Sequence, residues 1–264
     1  MATLGFIGFG RMAKAIWVGI EAESLYPRHK VMFSVRNPEK RDAIVSQYHF
    51  SPVDLDYLLA HSDTLMLCIK PQGIEAFLHA LPVINLEGKL LVSIMAGVTI
   101  ATLEPYFQGA AIIRAMPNTP ARLNQGMTAL ACSEDVTLTQ KQLATQLFTH
   151  CGHVVDVEES MMDAVTALSG SGPAFFYKIA DILAKIGQSE GLDYATSLQL
   201  VAQTFVGAGH MLLKTPSPQQ LINEVCSPNG TTEAGLKALQ QSSIEMDLQR
   251  MISAAIHRAK ELSL

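Results

Sequence analysis

Short apolar, β-rich runs recur in the N-terminal part of the chain, at residues 4–7, 31–35, 64–69, 90–94, 111–114, 128–131 and 154–157. Segments with apolar residues at helical spacing lie between most of them. This alternation predicts βαβ units and a parallel sheet covered on both faces. Between the last two runs, Thr139 followed three residues later by Gln142 predicts a capping box opening a helix that reaches about Phe148. From about Ser160 the β pattern ends. Phe176, Ile179, Ala180 and Leu183 recur at helical spacing, as do Leu198, Val201, Phe205 and Leu212, and then Ile244, Leu248, Ile252, Ala255 and Ala259. Ser217, Pro218 and Gln220 fit the N-cap, N1 and N3 positions of a further helix. The expected class is α/β, with residues 1–159 a doubly wound domain and residues 160–264 an all-helical one. The apolar stripes of the second domain are wide, which predicts that part of its surface is buried in a homodimer.

Composition narrows the functions available. A chain of 264 residues with 48% hydrophobic content can fill two cores. Lys and Arg total 19 against 24 Asp and Glu, so no basic field exists to attract nucleic acid or an anionic membrane surface. Cys68, Cys132, Cys151 and Cys226 are scattered singly, without Cys-x-x-Cys or His spacing for a metal, and read as reduced thiols of a cytoplasmic protein. The start of the chain carries Gly5, Gly8 and Gly10 rather than the pattern of a signal peptide, and no apolar run approaches the roughly 20 residues of a membrane span.

The glycines supply the first chemistry. In "LGFIGFGRMAKA", Gly8, Gly10 and Ala13 form Gly-x-Gly-x-x-Ala between a strand and a helix, the fingerprint of a Rossmann dinucleotide site. There Ile7 ends the strand, and the amides around Gly10, Arg11 and Met12 face a pyrophosphate. The alternative is a tight βα turn with no ligand. The second strand ends in Ser34, Arg36 and Asn37 rather than in an acid, which favours the 2′-phosphate of NADPH, with NADH as a less efficient substitute. Arg36 as a solvated loop cation is the competing reading. "CIKPQ", with Ile69, Lys70 and Pro71, follows the third strand, and "SIMAGV", with Ala96 and Gly97, follows the fourth, where the crevice of such a sheet lies. In "RAMPNTPARLNQG" the amide of Asn118 bonds either a cofactor or its own backbone; the sequence leaves both open.

"FIGFGRMAKAI", "IKPQ", "SIMAGV", "RAMPNTP", "ALSGSGPAFFY" and "CSPNGTTEAGL" follow one another in an order and at distances that resemble the pyrroline-5-carboxylate reductase family over essentially the full chain. The resemblance implies a Rossmann domain, a helical domain intertwined with a partner subunit and often a ring of dimers, NADPH-dependent reduction of L-1-pyrroline-5-carboxylate to L-proline, and no metal. It places cofactor contacts at residues 8–12 and 34–37, Ile69, Lys70 and Ala96, and substrate contacts at Glu159, Thr231 and Thr232. Two departures stand out. Asn229 occupies a position where many relatives have glycine, and Leu55 sits where an asparagine often meets the ribose, so nothing is carried over to Leu55.

With that substrate in view, the break in the helical pattern at "SPNGTTEAGL" has a purpose. Pro228 and Gly230 shape a turn, and the amides of Gly230, Thr231 and Thr232 at a helix start suit a carboxylate. Thr232 can bond the ring nitrogen and orient it, which makes it the candidate catalytic residue. Thr231 as a plain N-cap of a helix over residues 233–240 is the alternative. Ser171 in "LSGSGPAFFY" lacks the spacing of an acyl-transfer nucleophile; its glycines and Pro173 suit a kink and close helix packing. Two other functions compete with the reductase: a β-hydroxyacid dehydrogenase relying on Lys178, and an NADPH sensor without turnover.

Overall fold

The structure, a computed structural model, describes residues 2–22, 24–70, 73–81 and 85–262. It divides into two compact units, Met1–Ser171 together with Ala255–Leu264, and Gly172–Ala254.

The first unit is built on one sheet. Its strands are β1 (Leu4–Ile7), β2 (Val31–Ser34), β3 (Ser51–Pro52), β4 (Thr64–Leu67), β5 (Leu90–Ser93), β6 (Ala111–Met116), β7 (Gly126–Cys132) and β8 (Gly152–Asp156), in the order β3-β2-β1-β4-β5-β6-β7-β8. β1, β4 and β5 are buried at every position, as expected of strands with helices on both faces. On one face, α1 (Arg11–Ala22) contributes Ala13, Ile16, Trp17 and Ile20, and α6 (Leu138–Thr149) contributes Ala144, Leu147 and Phe148. Ile44 of α2 (Pro38–Tyr48) joins them. The other face is covered by α3 (Leu55–His61), α4 (Ile74–His79) and α5 (Ile100–Leu103) through Leu58, Leu59, Phe77 and Leu103. Trp17 and Phe50 meet edge to face at 4.6 Å in the first of these cores.

Three details differ from the sequence expectation. The sheet is mixed, because β7 runs antiparallel to β6, with Ile113 opposite Cys132. Residues 117–125 hold only a short 3₁₀ turn (Thr119–Leu123), too little chain for the crossover a parallel neighbour needs. The capping box lies two residues earlier, with the Thr137 hydroxyl accepting from Gln140 N at 3.3 Å and Gln140 Oε1 accepting from Thr137 N at 2.9 Å. That register buries Ala144, Leu147 and Phe148 together. β3, two exposed residues including a proline at the sheet edge, has no apolar alternation to announce it.

The compact units also part later than residue 159. Met162, in α7 (Met162–Val165), packs against Ala129 and Ala131 of β7, which keeps this stretch with the sheet. A π turn follows over Thr166–Gly170, where Ser171 N donates to Thr166 O at 2.8 Å. Ser171 is thus part of a helix irregularity of the kind its flanking glycines predict. A Cβ on Gly170 would come within 2.5 Å of Met116 Cε, the mobile end of a side chain that would have to swing aside.

The second unit contains α8 (Gly172–Ser189), α9 (Tyr194–Lys214), α10 (Pro218–Val225), α11 (Thr231–Gln240) and the first part of α12 (Ile244–Leu262). α8 and α9 form a hairpin, with Phe176 against Phe205 at 6.3 Å and Asp181 accepting from Tyr194 Oη at 3.1 Å. Asp193 caps α9 by accepting from Thr196 N, and the Thr196 side chain together with that amide holds the carboxyl below the usual carboxylate range. Several large apolar side chains of these helices stay open: Tyr177 is 66% exposed, Leu213 65% and Val225 70%.

Candidate active site

The dinucleotide turn is built as the glycines require. Gly8 has φ of +81°, and its N–H donates to Ser34 O at 2.9 Å, fastening the turn to the end of β2. A Cβ there would stand 3.0 Å from Cys68 O and 2.9 Å from Ile69 Cγ2. At Gly10 a Cβ would meet nothing within 4 Å, so the side of the backbone that a ligand would approach is open. α1 begins at Arg11, and the amides of Arg11 and Met12 have no intrahelical acceptor. Ile7, Gly8, Gly10, Ser34 and Ile69 thus converge at the carboxyl end of the sheet, beside the point between β1 and β4 where the strand order reverses. This cradle fits a pyrophosphate on a helix N-terminus.

At the end of β2 a cleft of about 570 Å³ is lined by Ser34, Arg36, Arg41, Asp54, Leu55 and Tyr57, among others. Arg36 is exposed and has no partner among the described residues, so its guanidinium is available to a phosphate. Asn37 is partly committed elsewhere: its Oδ1 caps α2 by accepting from Lys40 N at 2.8 Å. Arg41 was missed from the sequence; it lies one helical turn past Asn37, a spacing that brings it to the same cleft. Arg36→Ala is expected to raise the KM for NADPH about tenfold, roughly 1.4 kcal/mol, and to leave that for NADH unchanged. Steady-state kinetics with both cofactors checks this; equal changes would make Arg36 a bystander.

Farther along, Lys70 is exposed, Pro71 lies outside the described residues, and Ala96 and Gly97 follow β5. Gly97 has φ of +75°, and a Cβ on it would reach 2.6 Å from Leu262 O in the last turn of α12. Asn118 is used by the protein itself. Its Oδ1 accepts from Met127 N at 2.9 Å and its Nδ2 donates to Ser169 O and Oγ at 3.3 and 3.2 Å, tying β7 to the π turn. No cofactor bond is therefore assigned to it. Glu159 Oε1 accepts from the buried Arg114 Nη1 at 2.7 Å and from Ile100 N at 2.8 Å. The sequence marked Glu159 and passed over Arg114, whose position inside an apolar strand was the available signal.

Gly230, Thr231 and Thr232 belong to the second unit. The turn before α11 is shaped by Asn229, whose φ of +59° lies in the left-handed region that asparagine, like glycine, adopts readily. Gly230 is the N-cap, which moves Thr231 to N1 and Thr232 to N2 and removes the reading of Thr231 as the cap. The helix is closed instead by Glu233, which accepts from Asn229 N at 2.7 Å; the Lys237 ammonium and then that bond hold the Glu233 carboxyl below its usual range. Gly230 N donates to Ser227 O at 3.0 Å, so its amide is taken. The free amides are those of Thr231, Thr232 and Glu233, at the start of the helix. Neither threonine hydroxyl has a hydrogen-bond partner among the described residues.

Other candidate chemistry disperses. Lys178 is exposed and pairs with Asp181 at 3.4 Å within its own helix, which makes it an ordinary surface cation. All four cysteines are free, and burial pushes the Cys68 thiol well above its usual range, away from the nucleophilic thiolate. Among the described residues no three His, Cys, Asp or Glu side chains gather as a metal site, and no helix is long and apolar enough to cross a membrane.

Comparison with known proteins covers the whole chain. Residues 159–262 match the family model for pyrroline-5-carboxylate reductase dimerisation, and residues 3–97 match that for NADP oxidoreductase, coenzyme F420-dependent. Pyrroline-5-carboxylate reductase 2 of Bacillus subtilis is 35% identical over 267 residues, spanning 99% of this chain and 95% of the relative. The pyrroline-5-carboxylate reductase of Synechocystis is 37% identical over 262 residues, spanning 98% and 97%. A solved pyrroline-5-carboxylate reductase from Coxiella burnetii gives a TM-score of 0.88 at 33% identity, covering 100% of this chain and 99% of that one. The Plasmodium falciparum pyrroline carboxylate reductase, solved with NADP bound, gives 0.82 at 28% identity, covering 100% and 98%. With its NADP-type cradle and its threonine-bearing turn, the chain belongs to the pyrroline-5-carboxylate reductase family.

Proposed function

We infer that this protein reduces L-1-pyrroline-5-carboxylate to L-proline with NADPH, the closing step of proline biosynthesis. The observation that carries this reading is the turn at residues 227–232. With the helix start that follows, it presents the free amides of Thr231, Thr232 and Glu233 and two unpartnered hydroxyls, while the Glu233 carboxylate is taken up by Lys237 and Asn229 N, which suits a small ring bearing one carboxylate. The amides of Thr231 and Thr232 hold that carboxylate. Thr232 Oγ1 bonds the ring nitrogen and fixes its direction; a threonine hydroxyl is too weak an acid to protonate it unaided, so the imine arrives protonated or takes its proton from water. NADPH, when bound, supplies the hydride that the imine carbon receives. Gly8, Gly10, Arg11 and Met12 hold its pyrophosphate, Ser34 and Arg36 its ribose phosphate, and Ile69, Lys70, Ala96 and Gly97 flank its nicotinamide end. Asn37 contributes its remaining amide donors. The chain's own contribution to rate is position and exclusion of water.

NADPH oxidation followed by absorbance, with pyrroline-5-carboxylate against a panel of 2- and 3-hydroxyacid precursors and with NADH as comparator, tests the reading. Turnover confined to the cyclic imine and faster with NADPH is expected. Binding of NADPH without any turnover of the imine would return the protein to the sensor class. Thr232→Ala is expected to lower kcat on the order of 10- to 100-fold with NADPH binding unchanged. Unaltered kcat and KM would remove Thr232 from the reaction, and Glu233 N would then be the group to examine.

The same reading makes the protein a cytoplasmic homodimer, assembled further into a ring of dimers. Four free cysteines suit a reducing compartment. The match to a dimerisation family and the open apolar side chains of α8, α9 and α10 support self-association. A single-chain species in sedimentation at micromolar concentration would refute it.

A further inference from the structure

We propose that Arg114 is a positioning residue for the cofactor, acting through Glu159 on the loop at residues 95–99. The proposal rests on the reading that NADPH binds along the carboxyl ends of β1, β2, β4 and β5.

β6 reads Ala-Ile-Ile-Arg-Ala-Met, and all its residues but the last are buried. Arg114 is the one charge in it, between Ser93 of β5 and Ala131 of β7 in the sheet register. Its side chain is 7% exposed and its hydrogen-bonded partner is Glu159, whose side chain is 32% exposed. As a stability device such a pair is poor, because taking charges out of water consumes most of what their attraction returns. What a paired, hydrogen-bonded charge does provide is direction. Here one carboxylate oxygen receives both Arg114 Nη1 and Ile100 N. Ile100 opens α5 after its N-cap Thr99, and three and four residues before it lie Gly97 and Ala96, the backbone that flanks the nicotinamide end. The loop is held at its other end by Ser93, whose Oγ accepts from Met95 N at 3.4 Å, and Val98 is fully buried beneath it. Arg114 therefore fixes the Glu159 carboxylate, and Glu159 fixes the far end of the loop. Glu159 then acts on the reaction through the loop rather than through the substrate contact that family resemblance implies.

The test uses the purified full-length chain and two readouts: the NADPH dissociation constant from fluorescence titration, and the KM for pyrroline-5-carboxylate. Arg114→Met and Glu159→Ala are each expected to raise the NADPH constant about tenfold and to change the KM for the imine less than twofold. The double variant should be no worse than either single one, because both act through the same link. Arg114→Lys, which restores a donor and a charge, should recover most of the affinity. A folded Arg114→Met chain with unchanged NADPH binding overturns the proposal. So does a Glu159→Ala chain whose KM for the imine rises while NADPH binding holds, since that is the signature of a direct substrate contact. If Arg114→Met does not fold, Glu159→Ala and Arg114→Lys decide by the same criteria. Wild-type protein that binds NADPH yet leaves the imine unreduced would end the reductase reading, and the NADPH titrations would still judge Arg114.

Discussion

Replacing Gly8 with valine is expected to leave a folded protein whose dissociation constant for NADPH is about 100-fold higher, a loss of roughly 2.7 kcal/mol of binding. Two effects combine. A residue with a branched side chain at φ of +81° is strained by about 1–3 kcal/mol wherever it is held. The new Cβ would also press on Cys68 O and Ile69 Cγ2, at 3.0 and 2.9 Å, and the first of these is backbone that cannot swing aside. The turn can relieve both by rotating away from β4, and that rotation carries the Arg11 and Met12 amides off the line a pyrophosphate occupies. Gly8→Ala, with the same conformation but less bulk, should fall between valine and the wild type. Fluorescence titration of NADPH orders the three proteins. Equal affinity in all of them would mean that the phosphates sit elsewhere and that the glycine fingerprint serves only the turn.

Gly152→Ala is expected to act on the fold. Gly152 opens β8 opposite Gly126 of β7, with φ of +143°. An added Cβ would overlap the carbonyl oxygen of Gly126 and lie 2.5 Å from its nitrogen, both backbone atoms at the first pair of the ladder. Gly126 is itself pinned, since its N–H donates to Cys151 O at 2.8 Å and a Cβ there would meet Ala121 Cα at 2.8 Å. With neither strand able to yield, the start of β8 must peel from the sheet, at a cost of about 3 kcal/mol. For a unit of this size that corresponds to a fall in Tm of roughly 6–12 °C. Thermal unfolding followed by circular dichroism measures it. A shift below about 2 °C would show that β8 slides without penalty and that the paired glycines are incidental.

These two glycines mark the boundary of what a sequence can tell. Gly8 stands in a spacing that announces its role, whereas Gly152 is one glycine in an unremarkable Cys-Gly-His string, and only the opposing backbone gives it meaning. The buried strands β1, β4 and β5 were legible because helices on both faces demand unbroken apolar runs. β3 carries no such run, and the direction of β7 depended on the length of a connection rather than on any residue in the strand. Thr137 and Thr139 both satisfy the capping pattern with a glutamine three positions on, so local chemistry could not choose between them; burial of Leu147 and Phe148 did. In the candidate site, Gly8, Gly10, Ser34 and Arg36 take up positions suited to the roles expected of them. Asn118 and Gly230 were read from side-chain or amide type and Glu159 from family resemblance, and each has a partner inside the protein. Arg41 and Arg114 went unread for opposite reasons. One looked like any surface cation, and the other hid in a strand whose pattern is otherwise entirely apolar.

The ends of the sheet have a consequence for how the protein behaves when crowded. A strand from another chain that tried to extend the sheet at β3 would find two residues to pair with, one of them a proline without an N–H. At β8 it would find five residues, beginning with the distorted Gly152 and ending at Asp156, whose carboxylate already pairs with Lys141 at 2.9 Å. Val155 is the only apolar side chain of that strand exposed to 41%. Edge-to-edge pairing with another chain is thus closed off at one end of the sheet and confined to a short, charged strand at the other, which leaves the apolar faces of the helices, not the sheet, as the surface open to association.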